Sequence, residues 1–169
     1  PGKFFSDRLD NPTDEQKAKR ISAENKQKEI ANRAIKEMGE SGWKKNQYGS
    51  DIEKQEGNMN WDLIPDRNSG NIKESKETYQ KFKSNKEEHM KTIKNQMLEQ
   101  LKNDRGEWFD SDEEFSNIKS QLKDCSFWIT IDGKAIDLMS DGIEELGYHS
   151  ISARYDLKTK KISKIGIEG

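Results

Sequence analysis

The segment 125–138 constrains the fold more than any other part of the chain. Every second residue from Phe127 to Ile131 is apolar, which is the period of two that a half-buried β-strand requires. Asp132-Gly133 follows with residue types that suit a two-residue hairpin turn, and an apolar stretch then returns. The pattern predicts a β-hairpin over residues 125–138.

The composition limits both the size of the core and the classes of partner. Of 169 residues, 30% are hydrophobic and 37% are charged, so the core must be thin for the length of the chain. Lysine and arginine number 30 and acidic residues 32, which leaves a net charge of −2. Nucleic-acid binding would therefore need a local basic patch. One cysteine excludes an internal disulfide, and no apolar run approaches the ~18 residues of a membrane span.

Two long helical patterns precede the hairpin. The first runs from Thr13 to Met38 and the second from Asn71 to about Asp104, and each carries a narrow apolar stripe. The stripe is weak in the first half of the first helix, so that half is expected to project from the fold. Two such helices favour antiparallel pairing. Pairing would bury Met90, Ile93 and Met97 against Ile30, Ala34 or Met38.

The remaining segments predict an α+β fold in a single domain, 1–169. Residues 12–105 would form a helical part with an irregular, aromatic-containing segment at 41–71. Residues 106–169 would form an α+β part that holds the hairpin at 125–138 and a C-terminal hairpin at 149–167. The expected fold is two long N-terminal helices and a shorter third, followed by a small antiparallel β-sheet of about four strands.

Two acidic stretches could be taken for metal sites, but each has a simpler interpretation. Residues 66–77 place oxygen-bearing side chains at several positions of a calcium loop, yet the glycine and the apolar residue are each displaced by one position. A turn that leads into a helix explains this pattern. The acidic residues of 110–114 fit a helix start, where the dipole favours negative charge. No metal site and no cofactor is therefore predicted.

The C-terminal segment carries the candidate catalytic residues. From His149 to Gly169 there are five basic and two acidic residues, and His149 lies at the open end of the predicted strand. Cleavage of RNA without a metal requires an acid, a base and cations that hold the phosphate. We assign the acid-base role to His149 and phosphate contacts to Arg154 and Lys134, with Tyr155 in support. The alternative is a solvated sheet face whose edge strand is protected by lysines.

The chain begins Pro1-Gly2-Lys3-Phe4-Phe5. This resembles the junction at which the repeat shell of Rhs-type polymorphic toxins is followed by a variable C-terminal toxin domain. The resemblance implies an effector that is secreted or delivered into a target cell, with a cognate immunity protein as partner. It implies no catalytic residue.

Two hypotheses for the function follow. The first is a toxin-type effector that acts as a metal-independent ribonuclease on RNA. The second is a non-catalytic protein-interaction module that docks a partner through its long charged helices, in which case a cytoplasmic location is expected. The surroundings of His149 distinguish the two, because a catalytic histidine needs a cleft with a cation close by.

Overall fold

The computed structural model describes residues 13–104 and 107–169. Within them, four α-helices cover one face of a seven-stranded β-sheet. The helices are α1 (Asp14–Met38), α2 (Lys73–Ser84), α3 (Lys86–Asn103) and α4 (Asp112–Asp124). The strands are β1 (Lys44–Lys45), β2 (Ile52–Glu56), β3 (Met59–Ile64), β4 (Phe127–Asp132), β5 (Ala135–Ser140), β6 (Ser150–Asp156) and β7 (Lys161–Glu168). A short 3-10 helix, Glu144–Leu146, precedes β6.

The predicted fold class is wrong in the size and the type of the sheet. The chain is α+β, but the segment 41–71 contributes β1 to β3 instead of an irregular segment. The seven strands lie in sequence order, and β3 pairs with β4 in parallel while every other pair is antiparallel. Local patterns cannot reveal that parallel pair, because its two strands are separated by three helices.

The predicted number of helices is also wrong, because the second long helix is divided. Asn85 has φ −133° and ψ 36°, which ends α2 before α3 begins. The α2 helix contacts β3 and β4, whereas α3 contacts β6 and β7. The change of direction at Asn85 lets one amphipathic segment cover both halves of a wide sheet.

The predicted pairing of the two long helices does not form. The buried residues of α1, Ala31, Ala34 and Met38, belong to the part of the helix that packs on β1 and β2. Met90, Ile93 and Met97 are buried as expected, but α3 packs against the sheet, α2 and α4. The expected projection of the first half of α1 is confirmed, because every residue of 13–29 is exposed.

A turn anchored to α2 joins β4 to β5. The strands pair from Phe127–Ser140 to Asp132–Ala135, so the two turn residues are Gly133 and Lys134, one residue later than predicted. Gly133 has φ +61°, which the hairpin turn requires. Its N–H donates to Ser75 Oγ at 2.8 Å, and Thr78 Oγ1 donates to its carbonyl at 2.6 Å.

The alternation of side chains gives the sheet one apolar and one polar face. From β2 to β6, the apolar positions of each strand are buried under the helices. The opposite positions carry mainly polar and charged side chains, and no helix of the described ranges covers them. We call this surface the open face.

Candidate functional site

His149 lies in the loop just before β6 and is half-buried. Its Nδ1 is 2.8 Å from the carbonyl oxygen of Leu146 and 3.2 Å from that of Gly147, so Nδ1 carries the proton and donates. The imidazole also packs beside Trp108, with ring centres 5.5 Å apart. The backbone and Trp108 therefore fix the orientation of the ring.

The other three predicted catalytic residues lie elsewhere. Arg154 is on the open face and forms a bidentate pair with Asp137, at 2.8 and 2.9 Å. Tyr155 is buried on the opposite face of the same strand, where its hydroxyl is 2.7 Å from Nδ1 of His89. Lys134 is exposed in the β4–β5 turn.

The sheet does not bring these four residues together. His149 precedes β6, whereas Arg154 and Tyr155 lie near its far end, about 16–20 Å along an extended strand. Arg154 and Tyr155 also point to opposite faces, as successive strand residues must. These separations prevent one phosphate from contacting all four side chains. A catalytic site needs its groups within hydrogen-bonding reach of one reacting centre.

One concavity is a groove of about 1070 Å³ that is lined mainly by α3 and α4. The β2–β3 turn and the starts of β3 and β4 also line it, through Asn58, Met59 and Phe127. Residues three or four apart on each helix share one side, so the two helices direct several side chains into the same space. We call it the lysine groove; its lysines are Lys86, Lys91, Lys94, Lys119 and Lys123.

The lysine groove concentrates positive charge in a chain of net charge −2. Five lysines line it, and Glu87 is the only carboxylate among its described lining residues. Ser116, Ser120 and Asn95 add neutral hydrogen-bonding groups. An anion in this groove would meet cations from two helices at once.

The floor of the lysine groove is apolar but largely covered. Met59, Met90, Leu98, Leu122 and Phe127 contribute to it, and none is more than 9% exposed. One lysine also serves to hold the walls together. The Nζ of Lys94 donates to the Lys123 carbonyl at 2.7 Å and lies 5.5 Å from the centre of the Phe127 ring.

The open face carries a row of polar residues across the sheet. Cross-strand pairing aligns seven positions in register: Lys44, Glu53, Asp62, Thr130, Asp137, Arg154 and Ser163. Oppositely charged side chains form an ion pair near each end of the row. Lys44 is 3.6 Å from Glu53, and Arg154 binds Asp137.

Asp62 is the least compensated member of this row. Burial raises its pKa, and the neighbouring carboxylates of Asp51 and Glu53 add to the effect, so that the pKa reaches about 6. Its Oδ1 is enclosed and has no hydrogen-bond partner within the described ranges. Burial and Asp132 likewise raise the pKa of Asp51. This acidic half of the open face would repel an anion.

The described residues contain no cluster of three or more His, Cys, Asp or Glu side chains that could hold a metal ion. In the calcium-like segment, Asp66 Oδ1 instead accepts hydrogen bonds from the backbone N–H groups of Asn68 and Ser69, at 2.9 and 2.8 Å. The carboxylate oxygen of Asp66 therefore stabilises the turn that was expected here. None of the helices in 13–104 and 107–169 has the length and apolar character needed to cross a membrane.

The lysine groove was missed by reasoning from the sequence, although part of its signal is present. Lys91 and Lys94 are three apart, and Lys119 and Lys123 are four apart, so each pair marks one side of a helix. A charged side of a helix ordinarily faces solvent, and no local pattern shows that two such sides face each other.

Comparison of the chain with protein-family models, with curated proteins and with solved structures found no match.

Proposed function

We propose that this chain binds single-stranded nucleic acid, with the phosphodiester backbone lying along the lysine groove. The observation that carries the proposal is the lining of one groove by five lysines and a single carboxylate. Lysine ammonium groups neutralise backbone phosphates without reading the bases. Such a local patch is what a chain without net positive charge would need.

The groove fits a polyanion better than it fits a protein partner. Lysine is depleted in protein–protein interfaces, whose binding energy depends on buried aromatic and arginine anchors. The floor residues of the groove are at most 9% exposed, so a docked helix would gain little apolar burial there. Electrostatic attraction is consequently the main source of affinity.

The dimensions suit a short stretch of a single strand. The lining residues of α3 run from Lys86 to Leu98, which corresponds to about 18 Å along a helix axis. Lys119 and Lys123 face this stretch from α4. A backbone of a few nucleotides could thus contact lysines on both sides.

Binding is better supported than cleavage at this site. The described residues that line the groove include no histidine, and Glu87 is their one carboxylate. They provide cations for phosphates but lack a matched acid and base. The effector hypothesis remains a prediction, because Pro1–Phe5 lie outside the described residues.

The test is fluorescence anisotropy with labelled 12-nucleotide RNA and DNA strands. Lys91→Glu/Lys119→Glu reverses charge on both walls, and neither lysine side chain forms a hydrogen bond or ion pair within the described ranges. We expect this variant to lose at least about tenfold in affinity and to show a weaker salt dependence. The matched control, Lys26→Glu/Lys28→Glu, makes the same charge change on the exposed half of α1 and should bind as the wild type does.

Absence of binding by the wild type, or an equal loss in both variants, would contradict the proposal. Comparison of the RNA and DNA arms shows whether the sugar matters. Polyglutamate that competes as well as RNA would point instead to an acidic protein partner.

Incubation of the same RNA with the protein in the presence of EDTA, followed by measurement of the RNA length, tests the ribonuclease hypothesis. We expect the RNA to stay intact. Cleavage by the wild type that His149→Ala abolishes would restore His149 as the acid-base group, since the other histidine, His89, is buried.

A further inference from the structure

Trp128 is a large aromatic side chain on the open face. It is 44% exposed, although it lies in the central strand β4. Its chain neighbour Phe127 lines the lysine groove on the opposite side of the sheet. Consecutive strand residues point to opposite faces, so the lysine groove and the ring of Trp128 lie on opposite sides of the sheet, and a nucleic acid that contacts both must pass around the edge where β4 begins.

A second concavity of about 320 Å³ lies beside this ring, and we call it the tryptophan concavity. It is lined by residues of β4 to β7, including Trp128, Met139, Ser152, Arg154 and Lys164. Met139 is itself 38% exposed and is the direct cross-strand partner of Trp128. The concavity therefore has an apolar, accessible floor beside polar walls.

Most charges in the tryptophan concavity are already paired. Arg154 binds Asp137, and Ser152 Oγ donates to Glu168 at 3.0 Å. The side chain of Lys164 forms no direct hydrogen bond or ion pair within the described residues, although its charge, after the hydrogen bond from Arg154, contributes to the lowered pKa of Asp137. Lys164 occupies a distorted position in β7, with φ +51°, where the register against β6 shifts.

We propose that the tryptophan concavity is a second subsite for the same nucleic acid, in which one nucleobase stacks on Trp128 and Lys164 contacts the adjacent phosphate. This inference rests on the proposed function of the lysine groove. Exposed aromatic rings beside a basic groove are the usual means by which proteins hold single strands, because every base presents a π-face. The floor of the lysine groove lacks such a ring, since Phe127 is 1% exposed.

The charges of the open face favour one path for the nucleic acid across this surface. Asp51, Glu53 and Asp62 lie towards β2 and β3 and would repel a phosphate. Lys164 lies on the other side of Trp128, on β7. A nucleic acid that passes from the lysine groove around the start of β4 would therefore meet less repulsion beside Trp128, β6 and β7 than beside β2 and β3.

The test compares Trp128→Ala, Trp128→Phe and the control Tyr48→Ala on the same 12-nucleotide strands. Tyr48 is 76% exposed and lies between β1 and β2, at the edge of the sheet away from β6 and β7. We expect Trp128→Ala to bind about tenfold more weakly. Trp128→Phe should recover most of the affinity, Tyr48→Ala should bind normally, and the salt dependence of Trp128→Ala should equal that of the wild type.

A strand with abasic sites provides an independent measurement, because it keeps the phosphates and removes the stacking partners. The wild type should bind it about tenfold more weakly, whereas Trp128→Ala should lose nothing further. Normal binding by Trp128→Ala, together with a loss in Lys91→Glu/Lys119→Glu, would overturn the subsite and leave the proposed function intact. A loss in Trp128→Ala with a normal groove variant would overturn the proposed function instead.

Discussion

Glu40 joins three parts of the fold through one carboxylate oxygen. Its Oε1 accepts hydrogen bonds from Lys54 Nζ at 2.8 Å, from Trp43 Nε1 at 3.2 Å and from the hydroxyl of Tyr79. Burial raises the pKa of Glu40, but the hydrogen bonds from Lys54 and Tyr79 and the charge of Lys83 outweigh it and lower the pKa to about 2. The carboxylate thus links the end of α1 to β2 and α2, and its charge has a structural explanation without any ligand.

This geometry predicts an acid-dependent loss of stability. The pKa of Glu40 in the folded state lies below its ordinary value of 4.5, so its contribution is complete above about pH 4.5 and is lost as the pH falls towards 2. Glu40→Gln should lower the free energy of unfolding at pH 7 by on the order of 1 kcal/mol, with allowance for solvent screening. In urea unfolding, its difference from the wild type should shrink near pH 2. A difference independent of pH would assign the effect to shape alone, and Glu24→Gln on the exposed half of α1 serves as the control.

The β4–β5 turn illustrates how one element can hold another. The hydrogen bonds of Gly133 to Ser75 and Thr78 connect the turn to the first turns of α2. A Cβ at this position would lie 2.5 Å from Glu74 Oε1, and φ +61° is unfavourable for a β-branched residue. The backbone conformation therefore favours glycine, and the exposed Glu74 side chain would have to move aside for a larger residue.

Gly133→Val should lower the melting temperature markedly, with a loss in unfolding free energy of more than about 1 kcal/mol. Gly57→Val is a close control, because Gly57 also has φ +61° but a Cβ added there would meet no atom within 4 Å. The excess loss at Gly133 measures the contact with α2. Equal losses in thermal denaturation would show that the contact contributes nothing.

Charge is distributed unevenly over the molecule. Lysines gather in the groove between α3 and α4, whereas Asp51, Glu53, Asp62 and Asp132 share the other side of the sheet. Burial, and then the neighbouring carboxylates of Asp51 and Glu53, raise the pKa of Asp62. An anionic ligand is consequently attracted to one half of the molecule and excluded from part of the other.

Asp62→Asn should stabilise the protein at alkaline pH. Because the folded pKa of about 6 exceeds the ordinary 3.8, folding favours the protonated form, and this favourable contribution is lost as the pH rises through 6. The variant should gain on the order of 1 kcal/mol at pH 8 and about half of that at pH 5, as followed by urea unfolding. A gain of the same size at both pH values would contradict a titration of Asp62.

Patterns in the sequence were most informative where local spacing decides the structure. The alternation before Asp132 places β4, and the weak stripe of α1 accounts for its exposed first half. Strand β3 has the same alternation in Met59, Trp61 and Leu63, but the intervening polar residues suggested an irregular segment. That expectation failed because the open face accepts polar side chains at every second position.

Contacts between distant segments decided the remainder. The helix break at Asn85 and the parallel pairing of β3 with β4 depend on a sheet whose width no single segment specifies. The same holds for the candidate site, since Lys91 and Lys119 line one groove only because α3 and α4 pack side by side, while His149 and Tyr155 lie at opposite ends of one extended segment. Periodicity reports which face of an element is buried, whereas only the packing of elements determines which exposed side chains meet.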